Sequence, residues 1–132
     1  MALKIKLKPH EKIIIGGAVV TNGSATCNLQ IENKVPLLRQ DSILTEHEAT
    51  TPCKRIYFII QLMYISGGIT PELSQIYWDI VKEVINAAPS TNDLIAQTSR
   101  NILDEKYFQA LKSAKKLIRY EEELIRNVSE RA

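Results

Sequence analysis

The alternation of apolar and lysine residues in the segment Leu3–Lys8 constrains the fold of this chain more than any other stretch. Its apolar residues are Leu3, Ile5 and Leu7, and its lysines are Lys4, Lys6 and Lys8. A period of two residues is typical of a β-strand with one buried face and one solvent-facing side. Here the solvent-facing side is purely cationic. The segment therefore predicts a basic strand at the start of the chain.

Four more short strands are predicted before residue 40. Ile13–Ile15 is a β-branched run closed by Gly16-Gly17, which suits a tight turn because glycine adopts positive φ at little cost. Asn22-Gly23 is a hairpin signal, and Pro36 places the last strand at a sheet edge. The expected strands cover about residues 2–8, 11–15, 18–20, 25–32 and 35–39. They predict a meandering antiparallel sheet of five strands.

The rest of the chain has the helical hydrophobic period. Thr51-Pro52 and Thr70-Pro71 each place a capping residue before a proline in the first helical turn. Ser90 is expected to cap a third helix. The predicted helices cover about residues 52–64, 71–87, 91–102 and 104–128, and the residues beyond Asn127 are expected to fray.

The predicted fold class is α+β. A small N-terminal antiparallel five-stranded sheet (residues 1–44) is followed by a C-terminal bundle of about four helices (residues 45–132). The net charge of the 132 residues is +2, but residues 1–44 hold six Lys/Arg against three Asp/Glu. Residues 45–132 hold eleven against twelve. The basic excess therefore lies on the predicted sheet, where it favours a polyanionic partner.

Composition bounds the class of protein. A hydrophobic content of 45% and a charged content of 24% are ordinary for a globular domain. No apolar run approaches the roughly 18 residues that span a bilayer, and lysines interrupt the N-terminal apolar residues. Cys27 and Cys53 lack metal-ligand spacing and are expected to be reduced thiols. We expect a cytoplasmic protein with no membrane contact and no disulfide.

Nothing in the sequence indicates catalysis. A general base at neutral pH is usually histidine, and both His10 and His47 read as surface residues. Gly16-Gly17 lacks the Lys-Ser/Thr that follows a phosphate-binding loop. The run Glu121–Glu123 is typical of a solvated helix face rather than of a metal site. The expectation is a protein that is not an enzyme, with no metal and no cofactor.

Nucleic-acid binding is the better-supported prediction. Lys4, Lys6 and Lys8 would project from one strand face about 6–7 Å apart, given a rise of ~3.3 Å per residue. That spacing resembles the phosphate spacing of a single nucleic-acid strand, although lysines also protect edge strands from aggregation, and the pattern leaves both readings open. Arg39 is a candidate for a phosphate or a guanine edge. Its alternative is a surface ion pair with Asp41.

Aromatic residues argue against an RNA-recognition sheet with stacked bases, because they fall on the predicted helices and none alternates with the lysines. They are Tyr57, Tyr64, Tyr77, Trp78, Tyr107 and Tyr120. Any contact of the sheet with RNA is therefore expected to depend on charge and on hydrogen bonds from strand edges.

Long blocks of the chain resemble the FlbT family of flagellar regulators. These blocks are MALKIKLKPHEKIIIGGAVVTNG, IENKVPLLRQDSIL, TPCKRIYFIIQLMY, AAPST and ALKSAKKLIRYEEEL. The resemblance implies a post-transcriptional regulator that acts on the 5′ untranslated region of flagellin mRNA, repressing translation and favouring decay; some members of the family act in the opposite direction. It also implies a small helical partner protein, FlaF.

Residues 1–44 are also similar to the CsrA family of mRNA-binding regulators, through E-x-I-x-I-G after the first strand and V-x-x-x-R before an acid and an isoleucine. The resemblance implies that Arg39 is the RNA-contacting arginine of the last strand and that Lys8 is a basic residue at the end of the first. Glu11 and Gly16 match positions with structural roles. That family forms an intertwined dimer, so a homodimer is one expected assembly, while Pro36 and about ninety further residues depart from the pattern.

Two hypotheses follow from the sequence. In the first, the basic strands bind the flagellin mRNA leader through Arg39, Lys4, Lys6 and Lys8, and the helices form a scaffold. In the second, the helical half docks a flagellar protein, FlaF or flagellin, and any effect on RNA is indirect. An exposed apolar patch on the helices would favour the second hypothesis.

Overall fold

The computed structural model describes the backbone of residues 2–131 and the side chains of residues 2–129. The chain divides into two units. The first, here called the β unit, ends at Ile43 and also includes Ile65–Gly67. The second, here called the helical unit, takes Leu44–Tyr64 and the chain from Gly68 onward. Strands followed by helices confirm the predicted α+β class.

The β unit contains five short strands that form two separate sheets. They are β1 (Leu3–Leu7), β2 (Lys12–Ile15), β3 (Ala18–Thr21), β4 (Cys27–Ile31) and β5 (Leu37–Arg39). β1 pairs with β4, and β3, β2 and β5 form a sheet in that order; all pairings are antiparallel. The prediction of one meandering sheet is therefore wrong in its connectivity, because β3 and β4 do not pair although they are consecutive.

The alternation in β1 is confirmed for Ile5 and Leu7, whereas Leu3, predicted on the same buried face, is 51% exposed. Ile5 and Leu7 are buried, whereas Lys4, Lys6 and Lys8 are exposed. Ile5 and Leu7 share a core with Ile13 of β2. Partly buried residues complete that core, namely Ile15, Cys27, Leu29, Ile31 and Leu37. The apolar face of the β1–β4 pair is thus covered within the β unit, and its lysine face is left to solvent.

Asn22-Gly23 does not form the expected hairpin turn. The Asn22 side-chain amide donates to the backbone carbonyl oxygens of Lys8 (2.8 Å) and Ala25 (2.9 Å). The His10 N–H donates to the Gly23 carbonyl at 2.9 Å. The segment therefore joins the loop after β3 to the loop after β1, which directs β4 away from β3 and onto β1.

Gly16-Gly17 forms the tight turn between β2 and β3 that the sequence predicted. Gly16 has a φ of 54° and Gly17 a φ of 93°, both in the left-handed region. The Gly16 N–H donates to the Pro36 carbonyl at 2.8 Å and so extends the contact of β2 with β5. A Cβ atom on Gly16 would lie 2.8 Å from Val35 Cγ2, closer than carbon atoms pack. Gly16 is required both for its conformation and for the approach of Val35.

The helical unit contains most of four helices and short 3-10 turns. The helices are α1 (Pro52–Ser66), α2 (Pro71–Ala87), α3 (Asn92–Leu103) and α4 (Tyr107–Arg131). The Thr70 side chain accepts from the Leu73 N–H at 3.2 Å, as expected of a cap. Ser90 is not a cap: it lies in a 3-10 turn, and its Oγ accepts from the Tyr120 hydroxyl at 2.6 Å. α4 continues through residues that were expected to fray.

Buried polar side chains connect the helices of this unit. The Gln61 amide donates to the Leu44 carbonyl at 2.8 Å and accepts from the Leu44 N–H at 2.9 Å, which fixes the connector against α1. The Tyr77 hydroxyl of α2 lies 2.7 Å from Ser99 Oγ of α3. Burial raises the pKa of Tyr77 to about 12, while the hydrogen bond to Ser99 opposes the shift. The phenol is therefore neutral at physiological pH.

Glu121 differs from the solvated residue that the acidic run predicted. Its carboxylate accepts a hydrogen bond from the Thr51 hydroxyl and one from the Cys53 N–H at 3.1 Å. The first N–H groups of a helix have no partner within the helix, and a negative charge there is favourable. Glu121 therefore caps α1 from the side of α4.

Among the described residues, no helix is both long and apolar enough to cross a membrane.

We predict that Gly16→Ala destabilises the protein by about 1–3 kcal/mol. A side chain in the left-handed region costs roughly 1–2 kcal/mol, and the new Cβ meets Val35. Gly23→Ala is the matched control, because a Cβ there has no atom within 4 Å and is expected to change stability by less than about 0.5 kcal/mol. Urea unfolding followed by circular dichroism measures both, and equal stabilities of the two variants would contradict the argument.

Candidate nucleic-acid interface

The β1–β4 pair presents a polar, cationic face to solvent. In its antiparallel register Lys4 lies opposite Gln30 and Lys6 opposite Asn28, and all four side chains are exposed. Directly opposed residues on one sheet face have Cβ atoms about 4.5–5.5 Å apart. The two ammonium groups therefore lie beside two side-chain amides. Ammonium groups bind phosphate as point charges, and the Asn28 amide adds donors and an acceptor for hydrogen bonds. The Gln30 Nε2 already donates to Glu32 Oε1 at 2.8 Å.

A groove of about 550 Å³ lies at the end of β1 and contains the other two predicted site residues. Its lining residues are Lys8, Pro9, His10, Glu11, Arg39, Gln40 and Asp41. The turn after β1 and the end of β5 bring these residues together, although they are about thirty positions apart in the sequence. The structure therefore places Lys8 and Arg39 in one groove, and it places Lys4 and Lys6 on the adjoining strand.

Arg39 is held by two partners within the β unit. Its Nε donates to Glu11 Oε2 at 3.2 Å, and its Nη2 donates to the same oxygen at 2.9 Å and to the Lys6 carbonyl at 2.7 Å. The expected alternative, an ion pair with Asp41, is wrong: the salt bridge is with Glu11. The Arg39 side chain remains 47% exposed, and its Nη1 has no hydrogen-bond partner among the described residues.

Glu11 connects three parts of this site. Its Oε1 accepts from the Lys8 N–H at 2.9 Å, and its Oε2 accepts from Arg39. The Lys8 N–H and then the Arg39 guanidinium hold the pKa of Glu11 below its ordinary value of 4.5. The carboxylate is therefore ionised at neutral pH, and its hydrogen-bonding capacity is used inside the groove.

The lysines remain available to a ligand. Within the described part of the chain, Lys4, Lys6 and Lys8 form no salt bridge, and their side chains are exposed. The strands that carry them have no aromatic residue on which a base stacks. These lysines are therefore arranged to contact the phosphates of a nucleic-acid strand that runs along β1 and reaches Arg39 at one end.

Residues considered for catalysis do not form a reactive group. His10 lies in the turn after β1 with a φ of 62°, and His47 is exposed in the 3-10 turn Glu46–Glu48. Burial, with a smaller effect of Glu121, raises the pKa of Cys53 to about 12, so its nucleophilic thiolate is scarce at neutral pH. Within residues 2–129 no cluster of histidine, cysteine and acidic side chains has the composition of a metal site.

Three residues of the interface were missed by reasoning from the sequence. The polar alternation through Asn28 and Gln30 marked the solvent face of β4, but it did not show that this face adjoins Lys4 and Lys6. Glu11 was assigned only a structural role by resemblance. The available signal was its position three residues after Lys8, the spacing at which a side chain accepts from a backbone N–H across a turn.

We predict that Glu11→Gln lowers the urea midpoint of unfolding at pH 7 and that the difference from wild type shrinks below about pH 4. The pKa of Glu11 is lower in the folded than in the unfolded chain. Its stabilising effect is therefore complete above about pH 5 and is lost as pH falls through the folded pKa. The measurement is urea unfolding at pH 7, 5 and 3.

Asp41→Asn is the control, because Asp41 lies in the same groove without a salt bridge to a described residue. Its midpoint is expected to follow wild type at every pH. The Glu48 carboxylate, whose pKa is lowered by the Thr45 N–H and hydroxyl, is common to all variants and cancels in the comparison. A larger loss in Asp41→Asn than in Glu11→Gln would contradict the assigned ion pair.

The family model described as "Flagellar protein FlbT" matches residues 3–125 of the chain. A "Probable flagellum biosynthesis repressor protein FlbT 1" from Bradyrhizobium diazoefficiens is 44% identical over 94% of this chain and 85% of its own length. A "Probable flagellum biosynthesis repressor protein FlbT" from Rhodopseudomonas palustris is 41% identical over 95% of this chain and 98% of its own.

The "Flagellum biosynthesis repressor protein FlbT" of Caulobacter vibrioides is 34% identical over 98% of this chain and 93% of its own length. No solved structure matches the chain. The family match covers both the basic strands and the helices, and these relatives align over nearly the whole chain. The chain belongs to the FlbT family of flagellar proteins.

Proposed function

We propose that this protein is a cytoplasmic repressor of flagellum biosynthesis that binds the 5′ untranslated region of flagellin mRNA and lowers its translation and stability. Its membership of the FlbT family supports the flagellar role. The relatives are named as repressors, which supports the direction of regulation. FlbT is a regulator family rather than an enzyme class, in agreement with a role that requires no catalysis.

The observation that carries the RNA-binding part of the proposal is the availability of the β1 lysines. Lys4 and Lys6 project from one face of β1 about 6–7 Å apart, and Lys8 directly follows the end of that strand. All three are exposed; of the two acids that line the groove, Glu11 is engaged by Arg39, whereas Asp41 forms no salt bridge with a described residue. A phosphodiester strand along β1 would meet three ammonium groups without first displacing an intramolecular ion pair.

The pairing of Arg39 with Glu11 is compatible with a contact to RNA. Arginine has five N–H donors, and the bonds to Glu11 and Lys6 use Nε and Nη2. The Nη1 donors remain for a phosphate oxygen or a base edge. Glu11 and Lys6 fix the orientation of the guanidinium, so less side-chain freedom is lost when a ligand binds.

We predict that Lys4→Gln combined with Lys6→Gln weakens binding to a flagellin leader RNA about tenfold at 0.15 M salt. Each single-strand phosphate contact contributes about 0.7 to the slope of log K against log salt, so the slope should become shallower by about 1.4. Fluorescence anisotropy of a labelled leader RNA between 50 and 300 mM KCl measures both quantities.

The control is Lys12→Gln combined with Lys34→Gln, which removes the same charge from exposed lysines of the β unit that lie outside the β1–β4 face and the groove. Its slope is expected to stay close to wild type. The proposal is wrong if wild type has a slope near zero, or if both double variants lose the same affinity.

A second candidate function, docking of the flagellar protein FlaF by the helical unit, is favoured by a different observation. Ile125 and Val128 lie three residues apart on α4, and their side chains are 53% and 69% exposed. Residues at this spacing share one face of a helix. An apolar pair exposed on one helix face is typical of helix–helix recognition.

We predict that Ile125→Gln combined with Val128→Gln weakens binding of purified FlaF at least tenfold, because two apolar anchors lose their burial in the complex. Isothermal titration calorimetry without RNA measures the affinity. Leu103→Gln is the control, since Leu103 is 74% exposed at the end of α3. Failure of wild type to bind FlaF, or equal losses in the control, would exclude this docking surface.

A further inference from the structure

A second cationic cleft lies between α3 and α4, within the helical unit and separate from the lysines of β1. Its volume is about 440 Å³. One side is formed by Gln97 and Asn101, which lie four residues apart on α3. The other side carries Lys106, which directly precedes α4, and Lys112 and Lys116 from the first half of α4. The cleft is therefore lined by three lysines and by the side-chain amides of α3, of which the Asn101 amide donates to Ser113 Oγ at 3.2 Å.

No acidic residue is among the described residues that line this cleft. Across residues 2–129, none of Lys106, Lys112 and Lys116 forms a salt bridge. The Lys112 ammonium lies 5.1 Å from the centroid of the Phe108 ring, a cation–π contact that positions it without neutralising its charge. The cleft therefore holds uncompensated positive charge, which an anionic ligand would stabilise.

The spacing of the donors fits a phosphodiester chain. Lys112 and Lys116 are four residues apart, which places their Cβ atoms about 6 Å from one another on one helix face. That distance is close to the phosphate repeat of an extended single strand. Gln109 lies on the same face, one turn before Lys112 and two turns before Lys116, and its side-chain amide has no partner among the described residues.

We propose that this α3–α4 cleft is a second binding site for the phosphate backbone of single-stranded RNA. The inference rests on the proposed function, because it assigns the same ligand class to a second surface. RNA is favoured over an acidic peptide because Gln97 and Gln109 place amides beside the lysines. Side-chain amides pair with base edges, most often with adenine, whereas the carboxylates of an acidic peptide need only the positive charge of the lysines.

The test compares two double variants with equal charge change. Lys112→Gln combined with Lys116→Gln alters the cleft, and Lys82→Gln combined with Arg126→Gln alters exposed positions of α2 and α4 outside it. Glutamine is a good helix former, so both variants should fold. The probe is a labelled leader RNA in the full-length protein. The cleft variant is expected to bind about tenfold more weakly at 0.15 M salt, with a slope shallower by about 1.4.

The outcomes separate the two proposals. Loss of affinity in the cleft variant, with the control unchanged, supports the second site. Salt-dependent binding by wild type with equal affinities in the cleft variant and the control overturns the second site and leaves the β-unit proposal standing. No salt-dependent binding by wild type overturns both. Polyglutamate that binds wild type but not the cleft variant, when the leader RNA binds both equally, would assign the cleft to an acidic protein instead.

Discussion

The positions of Lys6, Lys8 and Arg39 relative to one another depend on the ion pair between Arg39 and Glu11. Arg39 ends β5, Glu11 begins the approach to β2, and the guanidinium also reaches the Lys6 carbonyl of β1. Glu11 in turn accepts from the Lys8 N–H. One arginine and one glutamate therefore join two sheets that share no backbone ladder. Charge-assisted hydrogen bonds are stronger and more directional than neutral ones, which suits this role.

The same contact determines which charges are left for a ligand. If the carboxylate of Glu11 were free, it would compete with an incoming phosphate for the neighbouring lysines and repel it. Because Arg39 and the Lys8 N–H occupy that carboxylate, its charge is compensated inside the groove. Lys4 and Lys6 form no salt bridge with a described residue, and they lie on the face of β1 opposite the apolar core of Ile5 and Leu7. Packing and binding therefore depend on alternate residues of one strand.

Local sequence patterns predicted elements well and contacts between them poorly. The burial of Ile5 and Leu7 (though not of Leu3), the glycine turn at Gly16-Gly17 and the Thr70 cap were predicted correctly, because each depends on residues within a few positions of one another. The pairing of β4 with β1, the partner of Arg39 and the capping of α1 by Glu121 were not, because each joins residues that are distant in sequence. Asn22 shows the same limit: its amide binds the Lys8 carbonyl, so tertiary contacts override a strong hairpin signal.

Charge counted over whole regions concealed the cleft between α3 and α4. Residues 45–132 have slightly more acids than bases, so the regional count placed the basic excess on the β unit. Interactions between exposed charges fade beyond a Debye length of about 8–10 Å, so a ligand senses local clusters rather than a regional sum. Glu121 follows Lys116 by more than one helical turn, and its carboxylate is engaged by Thr51 and Cys53. Glu121 therefore adds to the number of acids counted in residues 45–132 without neutralising the lysines of the cleft. The local potential at Lys112 and Lys116 stays positive.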